Sequence, residues 1–180
     1  VVRVATHVTE ADIAIQHLEG RPELGMMPVG FLMMAHMAPP KKILEQAQIF
    51  VDAGAEYVNI ADSGRLYDPD DVRARISLLV EKLPILGFHA HNNLGLAVAN
   101  ALTAAECGAD YIDVTAGGLA RARDAQAEVV AGVFQRLGYS TGLDFYSYMD
   151  LAENVVEPIM QRLLTYRFTE GRWPGSPSAT

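Results

Sequence analysis

Cysteine is nearly missing from this chain, with one residue, Cys107, among 180. An intrachain disulfide is therefore excluded, and the composition suits a reducing, cytoplasmic compartment in which Cys107 reads as a small buried hydrophobe. Basic residues are also scarce: 14 Lys and Arg against 22 Asp and Glu leave a formal net charge of −8. That balance argues against nucleic acid or an anionic membrane surface as a partner. No apolar run approaches the length needed to span a bilayer, and no signal-peptide pattern opens the chain. No Gly-x-Gly-x-x-Gly turn follows any strand-like run, which removes the main signature of dinucleotide binding. What the chain has in quantity is apolar side chains, 50% of the residues, enough for one domain with a sizeable core. It opens at Val1 already inside a strand-like run, so a missing N-terminus is expected.

The apolar runs alternate with helical periodicity. Strands are expected at Val1–Ala5, Val29–Met34, Tyr57–Ala61, Ile85–Phe88 and Tyr111–Val114. Between them, Thr9 and Glu10 start a helix carried to about Leu24–Gly25, weakened by Gly20 and Pro22. Pro39 and Pro40 open a second, with Ile43, Leu44, Ala47, Phe50 and Val51 on one face. A third follows Asp68–Pro69 with Val72, Ile76, Leu79 and Leu83 as its stripe. Leu94–Cys107 and Ala127–Leu137 complete the series, stopped by Gly108 and Gly138. The unit Gly54-Ala55-Glu56-Tyr57-Val58-Asn59-Ile60 recurs as Gly108-Ala109-Asp110-Tyr111-Ile112-Asp113-Val114, the mark of one supersecondary unit used repeatedly. Five successive βα units require right-handed crossovers and a parallel sheet with helices outside it. Either an open doubly wound sheet or an incomplete (β/α)8 barrel satisfies this. Polar residues gather at the carboxyl ends of the strands, Thr6-His7, His36, Asp62-Ser63, His89 to His91 and Thr115, where a barrel keeps its active site.

The stretch Phe88-His89-Ala90-His91-Asn92-Asn93-Leu94 is the most informative. Alternation along a strand points His89 and His91 the same way, with Cα atoms about 6 to 7 Å apart. Two imidazoles converging there can share a divalent metal ion. The alternative is a pair of polar strand-end residues hydrogen-bonded to neighbouring loops.

These motifs together resemble a known family. Ala5-Thr6-His7 with Thr9-Glu10-Ala11-Asp12, Gly30-Phe31-Leu32-Met33-Met34-Ala35-His36-Met37, Ala61-Asp62-Ser63-Gly64 and His89-Ala90-His91-Asn92-Asn93-Leu94 are similar to successive motifs of 4-hydroxy-2-oxovalerate aldolases. These belong to the wider group of hydroxymethylglutaryl-CoA lyase and isopropylmalate synthase. The resemblance covers about residues 1 to 160 and implies class II cleavage of 4-hydroxy-2-oxopentanoate to pyruvate and acetaldehyde, late in aromatic-compound catabolism. Its chemistry needs an electrophile for the enolate charge, which a divalent ion, typically Mn2+, supplies as a Lewis acid. Carried over by position, His89 and His91 are imidazole ligands and Ser63 lies near the substrate. Ser63 reads equally as a cap beside Gly64; Asn93 matches the polar residue that closes the family's His-x-His-x-Asn/Asp pattern and reads equally as a cap for the helix from Leu94. His7 and His36 either line the pocket or serve as packing residues; His17 reads as surface or interhelical, and the Met26-Met27 and Met33-Met34 pairs as core filler.

The resemblance also sets expectations about what is absent. It places the five units on strands four to eight of a barrel, so the chain is expected to be truncated, without the family's carboxylate ligand, its enolate-stabilising arginine and its acid-base histidine. No residue here takes those roles, and the catalytic residues stay unassigned. The loop Gly118-Leu119-Ala120-Arg121-Ala122-Arg123-Asp124 departs from a Gly-rich family loop that ends in Asn. Three segments follow: residues 1–138 as a partial (β/α) barrel, 139–164 as the start of a C-terminal helical region that docks an acylating acetaldehyde dehydrogenase, and 165–180 as a divergent, disordered tail. An aldolase fragment impaired alone, an acyl-CoA lyase or acyltransferase of the wider group, and a non-catalytic remnant are the three readings. Exposed strand edges predict self-association.

Overall fold

All five expected strands form, and they pair in sequence order as one parallel sheet, β1-β2-β3-β4-β5. They are β1 (Val2–His7), β2 (Pro28–Met33), β3 (Tyr57–Ala61), β4 (Leu86–His89) and β5 (Tyr111–Asp113). The structure, a computed structural model, describes residues 1–19, 22–64, 66–120 and 124–162. The expected tail at 165–180 and Arg121 to Arg123 lie outside the described residues. Adjacent registers carry one inner row from Phe31 through Asn59 and Gly87 to Tyr111, and the next from Ala61 through His89 to Asp113.

Alternation along each strand sorts side chains onto two faces. Leu32, Val58, Ile60, Leu86 and Phe88 pack outward against the helices, fully buried or nearly so. Each such side chain contributes about 1.5–3 kcal/mol when removed from water. Opposite them stand Ile43, Ala47 and Phe50 of α2 (Pro40–Asp52), Val72, Ile76 and Leu79 of α3 (Pro69–Val80), Ala97, Ala101 and Ala104 of α4 (Ala97–Glu106), and Val130 and Phe134 of α5 (Ala127–Arg136). Gly30 allows α2 to approach β2 closely, because a Cβ there would come within 2.5 Å of the Phe50 ring.

The other face is polar and aromatic: Arg3, Phe31, Tyr57, Asn59, His89, Tyr111 and Asp113 meet one another there. Arg3 of β1 grips both oxygens of Asp113 on β5 at 2.5 and 2.7 Å. These strands are the two edges of the sheet, so the sheet must curl until its edges face one another across the inner face. That curl makes it a partial barrel rather than an open doubly wound sheet.

Several local expectations shift. The helix expected from Thr9 to Gly25 is broken into a 3₁₀ turn at Ala11–Ala14, one α turn in α1 (Ile15–Leu18) and a second 3₁₀ turn at Pro22–Leu24. Pro22 cannot donate to a preceding turn, while Ala11, Ala14 and Leu18 still reach the core. In α2 the buried face includes Gln46, whose Oε1 accepts the Ala11 N–H at 3.0 Å and ties this irregular segment down. α3 starts as expected: Asp68 accepts the Asp71 N–H at 2.8 Å, and Pro69 occupies the first turn, where its missing donor costs nothing. α4 begins at Ala97, later than Leu94, and Asn92 rather than Asn93 accepts the Ala97 N–H, at 3.1 Å. After α5 come α6 (Phe145–Leu151), a π-helical turn at Ala152–Val156 and α7 (Glu157–Arg162). Pro158 removes one backbone donor just where the helix widens.

Candidate metal centre

The apolar run Leu86–Phe88 is buried on both faces of the sheet and ends in polar residues because the strand there leaves the core. Gly87 keeps the inner face open beneath Asn59, since a Cβ at 87 would lie 3.0 Å from the Asn59 amide. His89 and His91 point the same way, with ring centroids 4.8 Å apart and planes at 70°. Past the strand, His91 forms an antiparallel bridge with Asp124, the Ala125 N–H donates to the Ala90 carbonyl at 3.1 Å, and the Thr115 N–H donates to the Ala125 carbonyl at 3.0 Å. This backbone stitching delivers the Asp124 carboxylate to the histidines.

Asp124 Oδ1 lies 3.6 Å from His89 Nε2 and 3.8 Å from His91 Nε2. Ligand atoms of the three residues all fall within 4.8 Å of one another. Asp124 is 5% exposed, and its Oδ1 accepts no hydrogen bond among the described residues. A buried carboxylate oxygen left in that state favours a cation in front of it. Two imidazole nitrogens and one carboxylate oxygen form a donor set suited to a borderline divalent ion. The residues therefore fit a metal ion.

Behind His89, its Nδ1 lies 3.1 Å from Asp113 Oδ2. The same carboxylate accepts from Asn59 Nδ2 at 2.8 Å and from the Arg3 guanidinium. Phe31 meets the His89 ring edge-on at 5.4 Å. Burial alone would lower the His89 pKa, but the hydrogen bond to Asp113 and the charges of Asp113 and Asp124 outweigh it, so His89 is pushed up to about 9. Burial likewise opposes ionisation of Asp113, yet His89 and Arg3 hold its carboxyl below the usual range.

The remaining candidates sit apart from this cluster or serve the backbone. Ser63 Oγ accepts the Met34 N–H at 3.0 Å, supporting Met34 in a left-handed conformation at φ 58°. His36 lies so close beneath Gly64 that any side chain at 64 would intersect its ring. Its pKa is lowered by burial, then by the charges of Arg75 and His7. His7 Nδ1 meets Thr9 Oγ1 at 2.8 Å. His17 is exposed on α1, and Cys107, half-buried rather than buried, ends α4. Met26, Met27 and Met33 are exposed, not core filler, because the irregular segment before β2 and the end of that strand lie outside the packed layer.

Asp113 and Asp124 are what sequence reading missed. Asp113 was legible in principle: two residues from Tyr111 on one strand, it shares a face with it and ends the strand where His89 ends its own. Asp124 had no such signal, since only the bridge to His91 brings it near.

Parallel βα units curled into part of a barrel, with two imidazoles and a carboxylate gathered at the strands' carboxyl ends, define a partial (β/α) barrel with a candidate metal site. The HMGL-like family model matches residues 4–155, and the chain belongs to that family. A 4-hydroxy-2-oxovalerate aldolase of Moorella thermoacetica is 59% identical over 165 residues, covering 90% of this chain and 48% of that protein. One from Carboxydothermus hydrogenoformans is 53% identical, covering 90% and 49%. The chain thus spans about half the length of the curated relatives it matches. Among solved structures, the HMG-CoA lyase of Brucella melitensis superposes with TM-score 0.78 at 19% identity, covering 88% of this chain and 66% of that one. The carboxyl transferase domain of Rhizobium etli pyruvate carboxylase gives 0.78 at 18%, covering 97% and 31%. At those identities the likeness establishes the fold alone. No helix among the described residues is long and apolar enough to cross a membrane.

Proposed function

We propose that this chain carries the metal-binding half of a class II aldolase that cleaves 4-hydroxy-2-oxopentanoate to pyruvate and acetaldehyde in the catabolism of aromatic compounds, in the cytoplasm. The observation that carries the reading is the convergence of His89, His91 and Asp124 at the carboxyl end of the sheet, in a chain 59% identical to a 4-hydroxy-2-oxovalerate aldolase. A divalent ion held by these three residues, Mn2+ in this proposal, supplies Lewis acidity toward the keto and carboxylate oxygens of a 2-oxo acid. In this proposal Asp124 supplies a carboxylate beside the two imidazoles. Ser63 keeps its hydroxyl proton after accepting from Met34, so it can still donate to a substrate oxygen. On the inner face Phe31 packs edge-on against the His89 ring, and the Tyr57 hydroxyl accepts from Arg3 at 3.5 Å.

Two further proposals concern partners. Residues 139–162 belong to the region that docks an acylating acetaldehyde dehydrogenase. The chain also self-associates, because β1 and β5 pair with no further strand among the described residues, and Met33 and Tyr111 are 36% and 46% exposed.

The test has two arms. A Mn2+ isotherm on this chain should vanish in His89→Ala and His91→Ala. When the chain is fused to the first three βα units of a relative, pyruvate release from 4-hydroxy-2-oxopentanoate should need the metal. Release undiminished by a chelator, or turnover only of an acyl-CoA, would overturn the reading.

A further inference from the structure

We propose that Asp113, held by Arg3 and Asn59, is a positioning residue that fixes His89 with its Nδ1–H donated to Asp113 and its Nε2 turned toward Asp124 and His91. This rests on the reading of His89 as a metal ligand.

The donor count decides the tautomer. Asp113 takes a forked grip from Arg3 at 2.5 and 2.7 Å and a third donor from Asn59 at 2.8 Å. A carboxylate that accepts a guanidinium through both oxygens is ionised and can only accept. Its Oδ2 is 3.1 Å from His89 Nδ1, so that nitrogen carries a proton. The proton that a metal would displace is then the one on Nε2, 3.6 Å from Asp124 Oδ1, and Nε2 is the nitrogen whose lone pair becomes the ligand. The hydrogen bond on one imidazole nitrogen thus selects the other as ligand and aims it.

Position in the fold sharpens the point. Arg3 and Asp113 come from the two edges of the sheet, and Asn59 from its central strand. The ring orientation of His89 therefore depends on the curl of the whole sheet. A mere ion pair between edges would hold the curl without touching the ring. Here the oxygen nearest His89, Oδ2, is also the one that Arg3 and Asn59 both engage.

The test uses Zn2+ as a diamagnetic probe and the full chain labelled with 15N-histidine. In the zinc-loaded protein, His89 should show coordination at Nε2 and a proton on Nδ1. Asp113→Ala should weaken zinc binding about 10–100-fold in the folded protein. Asp113→Asn should bind more tightly than the Ala variant, because its amide oxygen takes the position faced by three donors and still accepts from Nδ1. Coordination of His89 through Nδ1, or a zinc isotherm in Asp113→Ala equal to wild type, would overturn the proposal. If Asp113→Ala fails to fold, the wild-type His89 spectrum decides alone. An isotherm unchanged in His89→Ala would overturn the metal reading itself, which is a different result from a failure confined to Asp113.

Discussion

Without metal, the folded chain should lose stability as pH rises from about 6.5 to about 9, and His89 should be the cause. In the unfolded chain its imidazole titrates near 6.5; in the fold it is pushed up to about 9 by Asp113 and Asp124 against the opposing effect of burial. The folded state therefore holds this proton more tightly. Its contribution is complete below about 6.5 and disappears as pH passes through about 9. At about 1.36 kcal/mol per pH unit, that interval corresponds to about 3 kcal/mol. With a urea dependence of about 2 kcal/mol per molar, the unfolding midpoint should fall by about 1.5 M. The assay is urea unfolding in the presence of a chelator at pH 6 and pH 10, for wild type and His89→Gln. Groups other than His89 affect both proteins alike, so the difference between their pH profiles isolates the imidazole. Parallel profiles would refute the reasoning, because they would mean that the two carboxylates do not hold the His89 proton. A corollary concerns the metal, which must displace that proton: Mn2+ affinity should rise by up to about tenfold per pH unit toward pH 9.

Asp124→Ala should weaken Mn2+ binding by at least about tenfold in calorimetry and should shrink the His89 pH effect; unchanged affinity would remove Asp124 from the site. Ser63→Ala takes away the acceptor of the Met34 N–H, so a stability loss of about 1 kcal/mol is expected in urea unfolding, with the metal isotherm unaltered. Gly30→Ala places a methyl within 2.5 Å of the Phe50 ring and should cost about 1–3 kcal/mol, read as a lower thermal midpoint; a neutral result would mean that α2 can shift away from β2 freely. Asp68→Ala should cost about 1 kcal/mol through loss of the α3 cap, checked in the same unfolding assay.

The sequence by itself determined the repeating βα order, because apolar runs, Pro and Gly stops and helical stripes such as Val72, Ile76 and Leu79 are local signals. It also determined that His89 and His91 share a face, since period-two alternation needs only two residues and a strand. It misplaced what depends on competition between neighbouring options. Asn92 rather than Asn93 accepts the first N–H of α4, and the segment from Thr9 to Gly25 breaks into short turns.

The pattern of strands and helices left an open sheet and a curled one level, the family motifs pointed to the curled one, and the tertiary structure shows it through Arg3 meeting Asp113 from the opposite edge. It alone assembled the acidic half of the site. Asp113 reaches His89 from the neighbouring strand, and Asp124 reaches both histidines through a backbone bridge formed more than 30 residues along the chain from His91. No periodicity encodes such encounters. A carboxylate near a histidine in space is set by register, curl and loop closure, which are properties of the packed sheet and not of any stretch of sequence.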